Sequence, residues 1–222
     1  MEYSDKVVIV TGGSKGIGEG CVRVFVEAGS RVVFCARRRE AGEALAREVT
    51  AKGPGEAHFV ACDVSKVEDI RRLLDLNLVS IIAACQLALP HLRKTKGNII
   101  NLSSLVGRMG QLHATTYVAT KGAVTAFTKA LAIDEAAHDV RVNSVSPGNI
   151  YTPLWQEAID AAPDPARCRA DGEAAQVLGR MGTIEETGRL CLFLAAEATF
   201  TTGVDHVQSG GAELGYGRKT RH

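Results

Sequence analysis

An apolar strand, a glycine-rich turn and a helix follow one another without a break near the start of this chain. Val7–Val10 is a continuous apolar run, as a strand covered on both faces is. Thr11-Gly12-Gly13-Ser14-Lys15-Gly16-Ile17-Gly18 follows it. From Gly16 to about Ala28, Cys21, Val22, Phe25 and Val26 fall on one helical stripe, and Gly29 ends it. Few architectures accept glycines packed this densely between a buried strand and a helix. Strands and helices then alternate. Arg31–Cys35, His58–Ala61, Asn98–Leu102, Val140–Val145 and Val204–Gln208 read as strands. Glu40–Thr50, a stretch from Val67 to about Leu92, Tyr117–Ala136 and Glu185–Ala195 read as helices. This order predicts an α/β fold built on a doubly wound parallel sheet. The 222 residues suit one domain with a substantial core, and no linker divides them. Residues 151–182 carry no clean period and read as a lid within that domain.

Composition removes several classes of function. The net charge is +1, so no strong field of either sign is expected, and a nucleic-acid partner is not expected. The six cysteines form no Cys-x-x-Cys pair, and four lie in apolar runs. They read as buried free thiols in a reducing compartment, with no metal site. No basic segment with an apolar stretch and a cleavage site opens the chain, so no signal peptide is expected. The longest apolar run, Leu76 to Leu89, is interrupted by Asn77, Ser80 and Gln86 and is too short to span a bilayer. The expectation is a cytoplasmic protein with no membrane partner.

The glycine turn points to a dinucleotide. Glycines let the backbone approach a pyrophosphate, and the following helix N-terminus favours its charge. The spacing is Gly12-x-x-x-Gly16-x-Gly18, in the strand-to-helix context that gives such a turn meaning. Gly12, Ser14, Lys15, Gly16, Ile17 and Gly18 are therefore cofactor-binding candidates. An acidic residue at the end of the second strand would hold the ribose hydroxyl of NAD. This chain has Ala36 followed by Arg37 there, with Lys15 in the turn. Two cations and no carboxylate suit a 2′-phosphate, which favours NADP and leaves NAD as the alternative. Arg38 and Arg39 read as a solvated helix start. Asp63, with Val64 after it, follows the third strand, where the carboxylate either receives the adenine amino group or caps a helix.

Tyr117 and Lys121 stand four apart, on one helix face. A phenol is a weak base at neutral pH. A nearby ammonium and a positive nicotinamide would lower its pKa. Tyr117 is expected to be the general acid or base, and Ser104, after the Asn98–Leu102 strand, to hold the substrate oxygen. A lone tyrosine or serine would be structural; the three together with the glycine turn describe hydride exchange between a nicotinamide and a small-molecule alcohol or ketone.

At this point the chain resembles the short-chain dehydrogenase/reductase family, with a Rossmann-like fold. Thr11–Gly18, Asp63-Val64, Asn77, Ser103-Ser104, Tyr117–Lys121 and Pro147–Pro153 carry the likeness. The resemblance implies that Asn77 anchors a proton relay to Lys121. It implies that Pro147, Gly148, Ile150 and Thr152 seat the nicotinamide, and that the protein is a homo-oligomer, a tetramer by the family's habit. Residues 87–94, 103–107, 148–155 and 210–217 further resemble the 17-beta-hydroxysteroid dehydrogenases within that family. This implies a steroid-like substrate and a place for Gln111 in the substrate pocket.

The chain departs from the family in one large respect. Only thirty-four residues separate Asp63 from Asn98, and they hold one helical stretch. The family has a strand and further helices there. The chain is therefore expected to lack one central strand–helix unit of about forty residues, removed between Leu74 and Asn77. One fused helix should cross the join, with Asn77 in its middle and turned away from Lys121. The alternative function is an impaired isoform that acts only as an oligomer partner or misfolds.

Overall fold

The structure is a computed structural model, and it describes residues 3–61 and 69–217. These residues form two compact units. One contains residues up to 61 together with 149–197, and the other contains residues from 69 to 148 together with those from 198 onwards.

The first unit is built on a parallel sheet. β1 (Val7–Thr11), β2 (Arg31–Ala36) and β3 (Glu56–Ala61) lie in that order. β1 pairs from Val7 opposite Arg31 to Thr11 opposite Cys35. α1 (Gly16–Glu27) and α2 (Arg39–Lys52) link these strands. Val22, Val26, Val32 and Phe34 are fully buried, and the Phe34 and Phe59 rings sit 5.4 Å apart. Beyond residue 149 come α7 (Pro153–Asp160), α8 (Pro165–Ala174) and α9 (Ile184–Ala196). α9 packs on α1 so closely that a Cβ on Gly20 would lie 2.5 Å from the Ile184 carbonyl oxygen. Cys21 and Cys191 face each other across that contact, with Sγ atoms 4.0 Å apart.

The expected lid is more ordered than its sequence suggests. α7 and α8 each begin with a capping side chain followed by proline. Thr152 accepts from the Trp155 amide, and Asp164 accepts from the Arg167 amide. Such caps fix the starts of short helices, and in α8 no periodic apolar face adds to the cap.

The second unit holds its own parallel sheet, β4 (Asn98–Leu102), β5 (Arg141–Pro147) and β6 (Asp205–Gln208). Asn98 pairs with Arg141 and Ser144 with Asp205. Leu89, Ala132, Val140 and Val142 form its core, with Leu92, Ile99 and Leu131 against them. The long helix α6 (Thr115–Glu135) and the short α5 (Val106–Met109) precede β5. The expected doubly wound sheet is thus present as two parallel three-stranded sheets. Among the described strands, β1 pairs only with β2, and β4 only with β5. Val7 and Ile9 of β1 are more than 60% exposed.

The fused helix is present and continuous. α3 (Asp69–Leu74) runs through a π-helical turn, Asp75–Val79, into α4 (Ser80–Thr95). Within it, Arg71–Thr95 spans 25 residues, its most apolar 18-residue window has a mean hydropathy of 1.7, and only 11% of that window is buried. By length and composition alone this helix could cross a membrane. That corrects the expectation of a run too short, because the helix extends well beyond the apolar stretch at both ends. Among the described cysteines, Cys21, Cys85 and Cys191 are buried, Cys35 and Cys168 are half-buried, and all five are free thiols.

Candidate active site

The glycine turn is anchored by backbone before it meets any ligand. The amides of Gly12 and Gly13 donate to the Cys35 carbonyl at the end of β2, at 2.8 and 3.1 Å. Gly12 and Gly16 have φ of +72° and +58°, which L side chains adopt only with strain. A Cβ on Gly18 would run into the Gly12 carbonyl oxygen, so the helix can rise against the turn only with glycine there. A Cβ on Gly12 would meet nothing within 4 Å, so the space beside that residue is open. Lys15 sits at the N-cap of α1 without a side-chain cap. Glu19, in the first turn, is held away by Arg23 at 2.8 Å. Ser14 and Ile17 are half-buried in the same turn.

Lys15 and Arg37 are both exposed, and among the described residues neither has an ion-pair partner. Arg39, by contrast, is engaged with Glu43 at 3.3 Å. Ala36 ends β2 with no carboxylate. These residues fit a nicotinamide dinucleotide. The turn would take its pyrophosphate, and Lys15 and Arg37 would take a 2′-phosphate. Bound there, the dinucleotide supplies the hydride acceptor or donor. The expected contact from Asp63 and Val64 lies outside the described residues.

Of the residues expected to seat a nicotinamide, Ile150 and Thr152 belong to the first unit and Pro147 and Gly148 to the second, and each pair is described within its own unit. Ile150 is buried and bridges to Gly182, with the Tyr151 amide donating to the Gly182 carbonyl at 2.8 Å. Gly148 donates to the Gln208 carbonyl at 2.9 Å, and a Cβ on it would lie 3.0 Å from the Ser209 Cα.

In the second unit the candidate catalytic residues Ser104, Tyr117 and Lys121 converge. Ser104 follows β4, and its neighbours are tied to β5: Ser103 donates to Val145 at 2.8 Å and Leu105 to Pro147 at 3.0 Å. The Ser104 side chain lies close enough to Tyr117 to pull its pKa down. The Lys121 ammonium donates to the Leu102 carbonyl at 2.9 Å and lies 5.8 Å from the centre of the Tyr117 ring. The Ser103 hydroxyl donates to the Lys121 carbonyl at 2.8 Å, which holds α6 against the end of β4.

The electrostatics differ from the sequence expectation. Burial raises the Tyr117 pKa, and the Ser104 side chain only partly opposes it. Burial lowers Lys121 to about 8. The ammonium leans on the Leu102 carbonyl and not on the phenol oxygen, so it does not depress the phenol in this arrangement. The protein alone therefore keeps Tyr117 as a proton donor, which suits the acid role in reduction.

Asn77 also differs. It lies mid-helix as expected, but it is not turned away from α6. Its Nδ2 donates to the Thr120 hydroxyl at 3.2 Å, next to Lys121, and Thr120 donates to the Tyr117 carbonyl at 2.7 Å. The physical reason is the π turn. The Ser80 amide bonds to the Asp75 carbonyl, five residues back, so the helix takes up one extra residue and its face rotates. Thr120 was not singled out from sequence; its place immediately before Lys121 was the available signal. Gln111 is exposed in the turn after α5, and its backbone carbonyl accepts from Ala114 at 3.4 Å.

Comparison with known proteins gives the family. Residues 66–213 match the family model described as Enoyl-(Acyl carrier protein) reductase, and residues 6–75 match short chain dehydrogenase. An L-fucose dehydrogenase from Bos taurus is 48% identical over 255 residues, covering 98% of this chain and 93% of the relative. A short chain oxidoreductase from Pseudomonas aeruginosa, solved with NADPH bound, superimposes with a TM-score of 0.84 at 26% identity, covering 99% of this chain and all of that one. L-sorbose reductase from Gluconobacter frateurii, complexed with NADPH and L-sorbose, shares the fold with a TM-score of 0.89 at 22% identity, over 95% and 97% of the two chains. The narrower likeness to the 17-beta-hydroxysteroid dehydrogenases finds no support in these comparisons: the relative at 48% identity is named L-fucose dehydrogenase. With a glycine turn that fits a dinucleotide, a Ser104–Tyr117–Lys121 constellation and these matches, the chain belongs to the short-chain dehydrogenase/reductase family of NAD(P)-dependent oxidoreductases.

Proposed function

We propose that this chain transfers hydride between NADP(H) and a carbinol or carbonyl carbon of a sugar of the L-fucose class. The observation that carries the reading is the gathering of Lys121 beside Tyr117, its ammonium 5.8 Å from the ring centre and held by the Leu102 carbonyl at the end of β4, with Ser104 near enough to ease the Tyr117 pKa. Ser104 holds the substrate oxygen. Tyr117 takes that oxygen's proton in oxidation and returns it in reduction, while the carbon gives up or receives the hydride. Lys121, with Asn77 and Thr120 behind it, carries the proton onward. The sugar class is supported by the name of the relative at 48% identity, and it replaces a steroid-like alcohol as the preferred substrate. Preference for NADP over NAD is supported by Lys15 and Arg37, which have no ion-pair partner among the described residues, and by the absence of a carboxylate at Ala36. Residues 151–182 serve as the lid, and Gln111 takes part in holding the substrate.

The same reading includes a missing strand–helix unit between Leu74 and Asn77. Three observations support it. β1 and β4 each lack a second strand partner among the described residues. A π turn sits at Asp75–Val79, across the join. The alignment to the Bos taurus relative runs over 255 residues, longer than the 222-residue chain itself. A purely non-enzymatic role has no comparable support. Cytoplasmic residence and self-association complete the proposal; Leu87 on α4 and Ile133 on α6 are each 77% exposed, available to a second copy.

The test is a substrate panel. The purified chain is incubated with NADP or NAD and with L-fucose, related sugars, a simple secondary alcohol or a 17β-hydroxysteroid. Formation of reduced cofactor is followed by absorbance. Turnover of L-fucose or a related sugar, faster with NADP, is expected. Turnover of the steroid alone would overturn the substrate class, and faster turnover with NAD would overturn the cofactor preference.

A further inference from the structure

Ser104 sits where a strand ends, and its position depends on what grips the segment after it. That segment is α5, a single turn from Val106 to Met109. Its first bonds are local: Gly107 donates to the Ser104 carbonyl at 3.0 Å, and Arg108 to the Leu105 carbonyl at 2.9 Å. One turn of helix has no stability of its own. One side of it presses on α6, where a Cβ on Gly107 would lie 2.8 Å from the Gly122 amide nitrogen and the Lys121 carbonyl carbon. The other side is held by a charge.

Asp205, the first residue of β6, has a carboxylate with only 2% of its side chain exposed. Its Oδ1 accepts from the hydroxyls of Ser144 and Ser146 on β5, at 2.7 and 2.8 Å. Its Oδ2 is buried and receives no hydrogen bond among the described residues. Arg108 Nε stands 3.4 Å from it, the one cation paired with it there. A buried carboxylate oxygen without a donor is costly, and a nearby positive charge is what offsets it. The contact is thus a Coulombic tether and not a directed hydrogen bond. It closes a ring: Ser146 bonds to Asp205, Asp205 attracts Arg108, and Leu105 donates to the carbonyl of Pro147, the residue after Ser146.

We infer that Arg108 and Asp205 are positioning residues, a charge latch that holds the Ser104 segment on β5 and β6 in the geometry the reaction needs. The inference rests on the proposed role of Ser104, although the latch itself can be observed without turnover. A displacement of about 1 Å in such a group is enough to cost up to about a hundredfold in rate. The pair is not itself catalytic, because neither residue is required to touch the substrate.

The test compares Arg108→Ala, Arg108→Lys and Asp205→Asn with the unaltered chain, and uses Arg189→Ala on α9 as a surface control. Amide hydrogen exchange is read for the peptide covering residues 104–110. Arg108→Ala should exchange there at least tenfold faster, while the core of α6 and the first unit stay unchanged. Arg108→Lys should recover most of the protection. Asp205→Asn keeps the shape but removes the charge, and should match Arg108→Ala. In kinetics, kcat should fall about tenfold or more in Arg108→Ala, with the NADPH dissociation constant unchanged and Arg189→Ala at the wild-type value. Equal exchange in the 104–110 peptide of Arg108→Ala and wild type would overturn the latch. So would exchange that rises evenly across the chain. Should the unaltered chain turn over no alcohol at all, the enzymatic proposal fails, and the exchange comparison still decides the latch.

Discussion

Ala36 and Lys121 are the two residues whose chemistry is most open to a direct test. At Ala36 the chain offers neither a carboxylate to a ribose hydroxyl nor bulk against a phosphate. Ala36→Asp should place a negative charge beside the 2′-phosphate site proposed for Arg37 and Lys15. Titration with NADPH and NADH should then show the preference inverted, each affinity moving by about tenfold or more. An unchanged ratio would separate Arg37 and Lys15 from cofactor choice. Lys121 is a base whose folded pKa is about 8, below its ordinary 10.5, because it is buried. Between those two values the unfolded chain holds the extra proton. Stability therefore rises with pH across that window, by up to about 3 kcal/mol over the whole of it. Below pH 8 the cost of charging the buried amine is present in full. Urea unfolding of wild type and Lys121→Met at pH 7.5 and pH 10 isolates this contribution. The difference between the two proteins should shift in favour of wild type as pH rises. A difference that does not move would mean that Lys121 is solvated.

At the scale of elements, α1 and α9 are locked by glycine. Gly20→Ala would push a methyl at the Ile184 carbonyl, and Gly188 faces the Gly20 oxygen in the same seam. The expected cost is about 1–3 kcal/mol, read as a drop of several degrees in Tm. Gly12→Ala meets no neighbour, so its penalty should be the smaller one of a positive φ, about 1 kcal/mol. A Tm loss in Gly12→Ala exceeding that in Gly20→Ala would contradict this reading of the turn. These elements were also the legible ones. Apolar runs and glycines placed β1, α1, β2 and β4 within a residue or two, because their signals are local. The helices of residues 151–182 were not legible, because α7 is only eight residues long and α8 has no periodic apolar face, so that their starts are set by caps at Thr152 and Asp164. The π turn was not legible either. Val67, Ile70, Leu73 and Leu74 lead into Leu78, Ile81, Ile82 and Cys85 at ordinary helical spacing. Packing of Asn77 on Thr120, a tertiary contact, accompanies the extra residue there. Tyr117, Lys121 and Ser104 could be named from their spacing alone. The direction of the Tyr117 pKa could not, since burial decides it and burial is a property of the fold. Asp205 gave no signal, because a single aspartate at the head of a strand looks solvated until serines from the neighbouring strand surround it.

For the whole molecule, the decisive feature is a parallel fold presented as two three-stranded sheets. Among the described residues, β1 and β4 leave backbone donors and acceptors without a ladder partner, and such edges lower stability and invite association. Restoring a strand–helix unit at the join near Leu74 should raise Tm and slow amide exchange in β1 and β4. Unchanged exchange in both strands would show that the unit is not missing from this architecture. The central claim is that Tyr117 carries the proton in an NADP-dependent oxidation of a sugar hydroxyl, and one measurement meets it directly. NADPH formation from NADP and L-fucose is followed for wild type and Tyr117→Phe at equal concentrations, with NADPH binding measured on both. The account predicts that wild type forms NADPH, that Tyr117→Phe forms none above background, and that both bind NADPH alike. Tyr117→Phe forming NADPH at a rate near wild type, or no NADPH formed by a wild-type chain that binds the cofactor, would contradict it.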